Sequence, residues 1–595
     1  MSKPITVNFP LLNKSIQTNK DSTISDVCTL IGEPLNLICG GKGKCGKCRV
    51  DIKTNEKTES VLACTTKVYE NLNIMITSQD SSAQILTTTV LKDIHPNPPL
   101  KFYFVDTSKL ETSIGESDWE TLCTKLEMDF DRPSIHILQK ISNLFHDSTG
   151  INLVAYDYAI VDVLRGDKNM NLYGLAFDIG STSIVAYLYD LTTYEQLGIS
   201  SQLNKQTSIA GDVIGRIEYA IKEPNGLKRL HELVIETVNE IIVEFCDKNK
   251  INKSSIYQAN FCGNSTMQHL FFEINPQYLG LAPFSSTTHD EIIANAKELK
   301  IQINPNGVIT FLPLLGGHVG GDTAAVLLSL PKDEKNRLII DLGTNGEVAV
   351  GKDKYYKVAS MASGPALEGY GIEYGMRGTV GAIERVTIYN GNIVYKVIGQ
   401  VPPIGICGSG IIDIVAELLR NNLINKRGAF VNPDEVKEAN LANRIISIHN
   451  KKAFIIAHGE ETKNRKPIVL TQDDIRQVQL AKAAIFTGCT MLIEEAGLKG
   501  EDLEEILMAG AFGNYINMDR AQLIGLIPYF EGVPVYSIGN AAATGSQLFL
   551  LSQEEKEKCI EIAKNTIHIE IATNPSFTKN YMKNTYLNKV EIYKR

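Results

Sequence analysis

FDIGSTSIVAY (residues 177–187) and IDLGTNGEVAV (residues 340–350) are one pattern written twice. Each has an apolar run ending in an aspartate, an Asp-x-Gly-(Ser/Thr) turn, and a second run carrying the same Val-Ala pair. Apolar runs of this length broken by a glycine turn read as two strands of a hairpin. Repetition of a whole supersecondary unit implies duplicated architecture. The pattern therefore predicts an α/β protein with two related lobes, residues 169–332 and 333–595.

The turns themselves carry chemistry. Asp178 and Asp341 each end a strand just before a tight turn, the place for a carboxylate that holds Mg²⁺ through water. Gly180, Ser181 and Thr182 in the first turn, and Gly343, Thr344 and Asn345 in the second, offer backbone N–H groups and polar side chains to phosphate oxygens. Consecutive N–H groups in such a turn form an anion-binding nest. A third element, ILMAGAFGN (residues 506–514), reads as a buried strand running into Gly510 and Gly513. Glycine there lets backbone approach a flat ligand such as adenine or ribose. Two other glycine-rich helix starts, Gly405–Gly410 and Gly539–Ala541, read first as sites of close helix packing. No G-x-x-x-x-G-K-(S/T) stretch is present. The order of these motifs resembles the superfamily of acetate and sugar kinases, chaperones and actin. That resemblance implies two ribonuclease-H-like lobes clasping ATP and Mg²⁺ between them, with Asp178 and Asp341 as catalytic carboxylates.

Toward the N-terminus the texture changes. Residues 3–9 and 14–18 alternate like paired strands, DSTISDVCTLIG reads as a capped helix, and RVDIKT and NLNIMIT supply two more strands. This β-rich segment, residues 1–80, holds Cys39, Cys45 and Cys48 in one glycine-rich loop, with Cys64 arriving from a later element. Four thiolates suit a [2Fe–2S] centre, and the first gap differs by one residue from plant-type spacing. Gly40, Gly41, Gly43 and Gly46 permit the turns by which backbone N–H groups reach cluster sulfurs. Cys45-x-x-Cys48 is also half of a zinc knuckle, but a zinc site brings two close pairs and the other two cysteines are isolated. The segment resembles the ferredoxin family, whose fold is a β-grasp. The 15 residues between Cys48 and Cys64 are few for that family, implying a trimmed loop before the fourth ligand. Ten basic against eight acidic side chains make this segment positive, and Lys42, Lys44, Lys47 and Arg49 lie in or beside the loop. They read as a solvated surface or as a docking face for an acidic electron-transfer partner.

Between these parts, SSAQILTTTVLKDIHPNPPL reads as a polar, proline-rich linker, followed by a small α/β segment up to residue 168 that carries the single tryptophan, Trp119. Cys123, Cys246, Cys262, Cys407, Cys489 and Cys559 stand singly and read as small buried side chains. Fifty-nine lysines and arginines against 68 aspartates and glutamates leave a net charge of −9, which gives no case for nucleic-acid binding. No apolar run is long enough for a membrane helix, and the start lacks a signal-peptide profile, so a cytoplasmic protein is expected.

A ferredoxin-like segment ahead of such an ATPase is far more specific than either part. The whole chain resembles the reductive activators of corrinoid proteins, a likeness that also covers GDVIGRI (211–217), FCGNSTMQHL (261–270), LLGGHVGGDTAAVLL (314–328) and SGPALEG (363–369). The resemblance implies ATP-driven electron transfer from the [2Fe–2S] centre to a Co(II) corrinoid protein of a methyltransferase system, giving Co(I). It further implies an external low-potential electron donor and a homodimer. Two other readings stay open: an ATP-dependent activator of another low-potential enzyme, such as a dehydratase, and a redox-sensing module with degenerate ATPase lobes. Glu347, beside the second turn, reads equally as a functional or a salt-bridged glutamate, and His318 as a packed loop residue.

Overall fold

The computed structural model describes residues 5–12, 14–18, 20, 22–31, 49–53, 58–75, 94–110, 115–146, 150–166, 168–343 and 345–587. Cys39, Cys45, Cys48 and Thr344 lie outside these residues, as does the start of the linker.

The N-terminal segment forms a mixed five-stranded sheet. Strands β1 (Ile5–Phe9), β2 (Lys14–Thr18), β3 (Arg49–Lys53), β4 (Thr58–Leu62) and β5 (Leu72–Met75) lie in the order β2-β1-β5-β3-β4. β1 and β5 run parallel at its centre, as in a β-grasp. Alternation places Val7, Phe9 and Ile74 in a small core with Val27 of the helix Ile24–Leu30. Thr23 and Asp26 form that helix's reciprocal cap, Asp26 N–H to Thr23 Oγ1 at 3.1 Å and Thr23 N–H to Asp26 Oδ2 at 2.9 Å. β4 escaped the sequence reading because Thr58, Glu59 and Ser60 are all exposed, polarity suited to an edge strand.

The next segment pairs β6 (Leu100–Val105), β7 (Ile151–Tyr156) and β8 (Ala159–Arg165) in an antiparallel sheet covered by the helices Asp118–Leu126 and Ile135–Leu144. The proline-rich stretch before it is not a free spacer throughout. Asn97 N–H donates to Leu551 O at 2.9 Å and Gln553 N–H to Asn97 O at 2.8 Å, so this end of the linker is fastened to the C-terminal half.

Two six-stranded sheets follow. The first contains β9 (Tyr173–Ile179), β10 (Ser183–Asp190), β11 (Gln196–Leu203), β12 (Ile256–Gly263), β13 (Ile292–Asn295) and β14 (Val308–Phe311), in the order β11-β10-β9-β12-β14-β13. The second begins with β15 (Arg337–Leu342), β16 (Gly346–Lys352) and β17 (Tyr355–Met361). Two small sheets interrupt it: β18 (Ala382–Tyr389), β19 (Asn392–Val397) and β20 (Gly405–Ile406), then β21 (Ile445–Ile448), β22 (Lys451–Ala457) and β23 (Ile468–Thr471). It resumes with β24 (Glu505–Ala509), β25 (Val535–Gly539) and β26 (Ile567–His568), giving the order β25-β24-β15-β16-β17-β26. In each sheet a hairpin and a third antiparallel strand are extended by two strands parallel to the first. The duplicated topology is the ribonuclease-H-like one, with one edge strand added to each copy.

The two sheets meet through a pair of helices. Gly321–Leu328 follows β14 but enters a core with Ile339, Ala349 and Val358 of the second sheet. Ala541–Leu551 follows β25 and runs back beneath the first sheet, where Asn260 Nδ2 donates to Ser546 O at 2.7 Å and Ser546 Oγ to Phe177 O at 3.1 Å. At their crossing a Cβ on Gly545 would stand 1.9 Å from Ala325 O, so only glycine allows the approach. Among the lone cysteines, Cys262, Cys407, Cys489 and Cys559 are buried as expected, whereas Cys123 and Cys246 sit half-buried on the rims of surface helices. No described helix is long and apolar enough to cross a membrane.

Candidate functional site

The two hairpin turns open onto one cleft of about 310 Å³ between the sheets. Asp178 lies at the end of β9, opposite Val185 on β10 and Cys262 on β12. Its turn closes with Gly180 N–H donating to Ser183 O at 3.0 Å, and a Cβ on Gly180 would stand 2.7 Å from that oxygen. Asn204 Nδ2 holds the Gly180 carbonyl at 3.0 Å, and Asn264 Nδ2 reaches Ser181 Oγ at 3.3 Å. The second turn repeats the device: Asp341 faces Glu347 across β15 and β16, and Gly343 N–H donates to Asn345 O at 2.9 Å. The third element arrives where β24 ends at Gly510, whose φ of +80° suits glycine and whose missing Cβ leaves room for Asp341 Oδ1, 2.4 Å from where it would sit.

Asp178, Gly180, Ser181, Thr182, Asp341, Gly343, Asn345 and Gly510 therefore all line the same cleft. Gly513 does not; it lies in the same short helix as Gly510, buried against Met508 of the preceding strand. His318 is tilted against the Phe284 ring, 4.8 Å between centroids, and is not part of the lining. The glycine-rich start at Gly408–Gly410 is a packing device, since a Cβ on Gly410 would lie 2.3 Å from Ile383 O.

The cleft also holds residues the sequence left without a site role or with an open one, among them Asn540 of the Gly539–Ala541 helix start, read first as packing. Asp322 stands in the first turn of the helix Gly321–Leu328, and Asn540 caps the helix Ala541–Leu551, accepting from Ala543 N–H at 3.3 Å. Asn264, Glu347 and Glu368 complete the polar wall. Asp322 was legible only as an acid following Gly-Gly before an apolar helical run; nothing in sequence spacing ties that helix start to the two hairpins.

These carboxylates crowd one another. Burial, then the charges of Asp322 and Asp341, push Asp178 up to about 7. Burial and the Asp322 charge push Asp341 to about 7, and burial alone brings Asp322 to about 6. Glu347 is raised well above the usual range by burial and by both aspartates. Such a group of acids is repulsive by itself and favours a cation among them. Among the described residues, no three His, Cys, Asp or Glu side chains converge tightly enough to hold an ion unaided.

Of the four cysteines expected to hold a cluster, only Cys64 is described. It follows β4 in a turn closed by Thr65 N–H and Thr66 N–H to Leu62 O, 9% exposed and in the same small core as Val27. A thiolate at a shielded loop corner is compatible with a cluster ligand.

Comparison with known proteins covers nearly the whole chain. Residues 335–594 match the family described as the C-terminal domain of RACo, the ASKHA domain, and residues 173–334 match the RACo middle region. The corrinoid activation enzyme RamQ of Eubacterium limosum is 48% identical over 584 residues, 97% of this chain and 98% of that protein. A Methanosarcina barkeri protein described as a reductase of a Co(II) methylated amine-specific corrinoid protein is 26% identical over 447 residues, 69% of this chain and 76% of its own length. Among solved structures, a reductive activator for a corrinoid, iron–sulfur protein superposes with a TM-score of 0.72 at 29% identity, covering 98% of each chain.

Proposed function

The chain belongs to the RACo family of reductive activators of corrinoid proteins, and from that premise we propose that it uses ATP to drive one electron onto a Co(II) corrinoid protein, restoring Co(I) for methyl transfer. The observation that carries the reading is the convergence of two duplicated acidic turns and the Gly510 turn on a single interlobe cleft.

In this reading ATP lies in the cleft. Backbone N–H groups and the hydroxyls of Ser181 and Thr182 hold phosphate oxygens from one side, and Gly343, Thr344 and Asn345 from the other. Asp178, Asp322 and Asp341 would hold Mg²⁺, which would supply neutralisation of the phosphate charge. Gly510 gives backbone access to the nucleoside end. The helix crossing at Gly545 and Ala325 is the contact about which the lobes close.

The donor of the electron is a [2Fe–2S] centre held by Cys39, Cys45, Cys48 and Cys64 in the segment 1–80. Segment 81–168 links it to lobes 169–332 and 333–595. A plant-type centre sits near about −400 mV, and a Co(I) corrinoid is a stronger reductant still. Each ~59 mV of uphill one-electron transfer costs a factor of ten in the equilibrium constant, which ATP-driven lobe closure on the partner must offset. A centre held by these cysteines would take its electrons from an external low-potential donor. The acting form is a cytoplasmic homodimer.

The test is ATP turnover by the full chain, alone and with a corrinoid protein poised as Co(II). Stimulation by the Co(II) partner is expected. Stimulation by a dehydratase component but not by the corrinoid protein would replace this reading with the other activator class, and no turnover under any condition would leave the lobes degenerate.

A further inference from the structure

GDVIGRI (211–217) has no place in the site so far, yet it delivers one of the two fully buried arginines among the described residues to the back of the first turn. Arg216 is 0% exposed. It sits on the helix Val213–Lys222, whose first residue lines the cleft and whose cap is Asp212, accepting from Gly215 N–H at 2.9 Å. The guanidinium is spent on neutral acceptors. Nε donates to Ala210 O at 3.1 Å, Nη1 to Gln206 Oε1 at 2.9 Å and Met267 Sδ at 3.2 Å, and Nη2 to Ser181 O. Asp212 acts on it only through space. A buried cation without a paired carboxylate is costly to keep, and burial brings this one down to about 10, still charged at neutral pH.

The cleft explains the expense. Among the described residues its lining holds Asp178, Asp322, Asp341, Glu347 and Glu368 and neither lysine nor arginine. A polyphosphate entering it meets anions on the walls, and Arg216 is a positive charge one peptide group behind the surface. The hydrogen bond it makes also has a direction. In a trans peptide the C=O and the following N–H point opposite ways. Holding Ser181 O on the buried side therefore turns Thr182 N–H toward the cleft.

Resting on the ATP reading above, we propose that Arg216 is a positioning residue for the phosphate end of the nucleotide: it fixes the Ser181–Thr182 peptide so that Thr182 N–H meets a phosphate oxygen, and its charge offsets that phosphate from behind the wall. A residue that only tied Ser181, Gln206 and Ala210 together would serve adenosine and ATP alike. The phosphate role predicts a loss that grows with phosphate number.

The experiment measures binding of adenosine, ADP and ATP, each with Mg²⁺, to the full-length wild type and to Arg216→Gln and Arg216→Lys by titration calorimetry. Arg216→Gln should weaken ATP about ten- to a hundredfold, the range for losing a charged hydrogen bond, with adenosine unchanged. Arg216→Lys, which keeps the charge but loses the planar fork, should fall between. Equal losses for adenosine and ATP, or none for ATP, would overturn the proposal. Should Arg216→Gln fail to fold, the same comparison in Arg216→Lys decides. Absence of ATP binding by the wild type would instead refute the reading of the cleft itself.

Discussion

Asp322→Asn should make the unliganded protein more stable at alkaline pH while removing its ATP turnover. The substitution keeps the shape of the side chain, and its amide oxygen can still accept from Thr323 N–H, now at 2.8 Å. What it removes is a carboxyl that burial raises from 3.8 to about 6, and whose charge adds to the burial that brings Asp178 and Asp341 to about 7. The sign follows from linkage. A carboxyl whose folded value is raised binds more protons folded than unfolded, so stability falls as pH rises from the unfolded value, and the whole penalty is present above the folded one. For Asp322 that window runs from about 4 to about 6, and for its two neighbours to about 7. At 1.36 kcal/mol per unit the Asp322 penalty is at most about 3 kcal/mol, so a gain of roughly 1–3 kcal/mol at pH 8 is expected, or about 2–12 °C for a lobe of this size. Thermal melts of wild type and variant at about pH 5, 6, 7 and 8, with and without Mg²⁺, give the assay. The gap should widen with pH, and Mg²⁺ should raise the wild type more than the variant. A gap independent of pH, or a variant less stable than wild type at pH 8, would show that these carboxylates do not form one cation-seeking group.

Three further outcomes follow from named contacts. Asp341→Ala should abolish Mg²⁺-dependent ATP hydrolysis, read by phosphate release, and leave the visible iron–sulfur spectrum unchanged. Metal analysis of anaerobically purified protein should find about two irons per chain, with Cys64→Ala losing them and Cys123→Ala keeping them; one zinc and no visible charge-transfer bands would contradict the ligand assignment. Gly545→Ala should cost several kcal/mol, about 3 or more in a denaturant melt, because its methyl group would lie 1.9 Å from the backbone oxygen of Ala325 where nothing flexible can yield.

The duplicated lobes were legible because a buried strand ending in Asp-x-Gly is a local pattern, and two copies of it revealed the sheets that Asp178 and Asp341 terminate. Strands β1, β2, β3 and β5 were legible from alternation, whereas β4 was not, since an edge strand led by Thr58, Glu59 and Ser60 carries no apolar period. Asp322 and Asn540 were missed as site residues for a different reason. Each begins a helix that crosses beneath the opposite sheet, and only that crossing, set by Gly545 against Ala325, brings them to the hairpin turns. Gly513, read as making room for a ligand, lies instead against Met508, outside the cleft lining. The linker was read as a spacer from its prolines, but composition is blind to the backbone bonds by which Asn97 is held to Leu551 and Gln553.

The most direct measurement of the central claim is anaerobic. Protein with its iron–sulfur centre pre-reduced is mixed with a Co(II) corrinoid protein, and the cobalt absorption is followed with and without ATP. Co(I) should accumulate only with ATP, and neither Cys45→Ala nor Asp341→Ala should support it. Co(I) forming equally fast without ATP, or with the cysteine variant in place of wild type, would contradict the account.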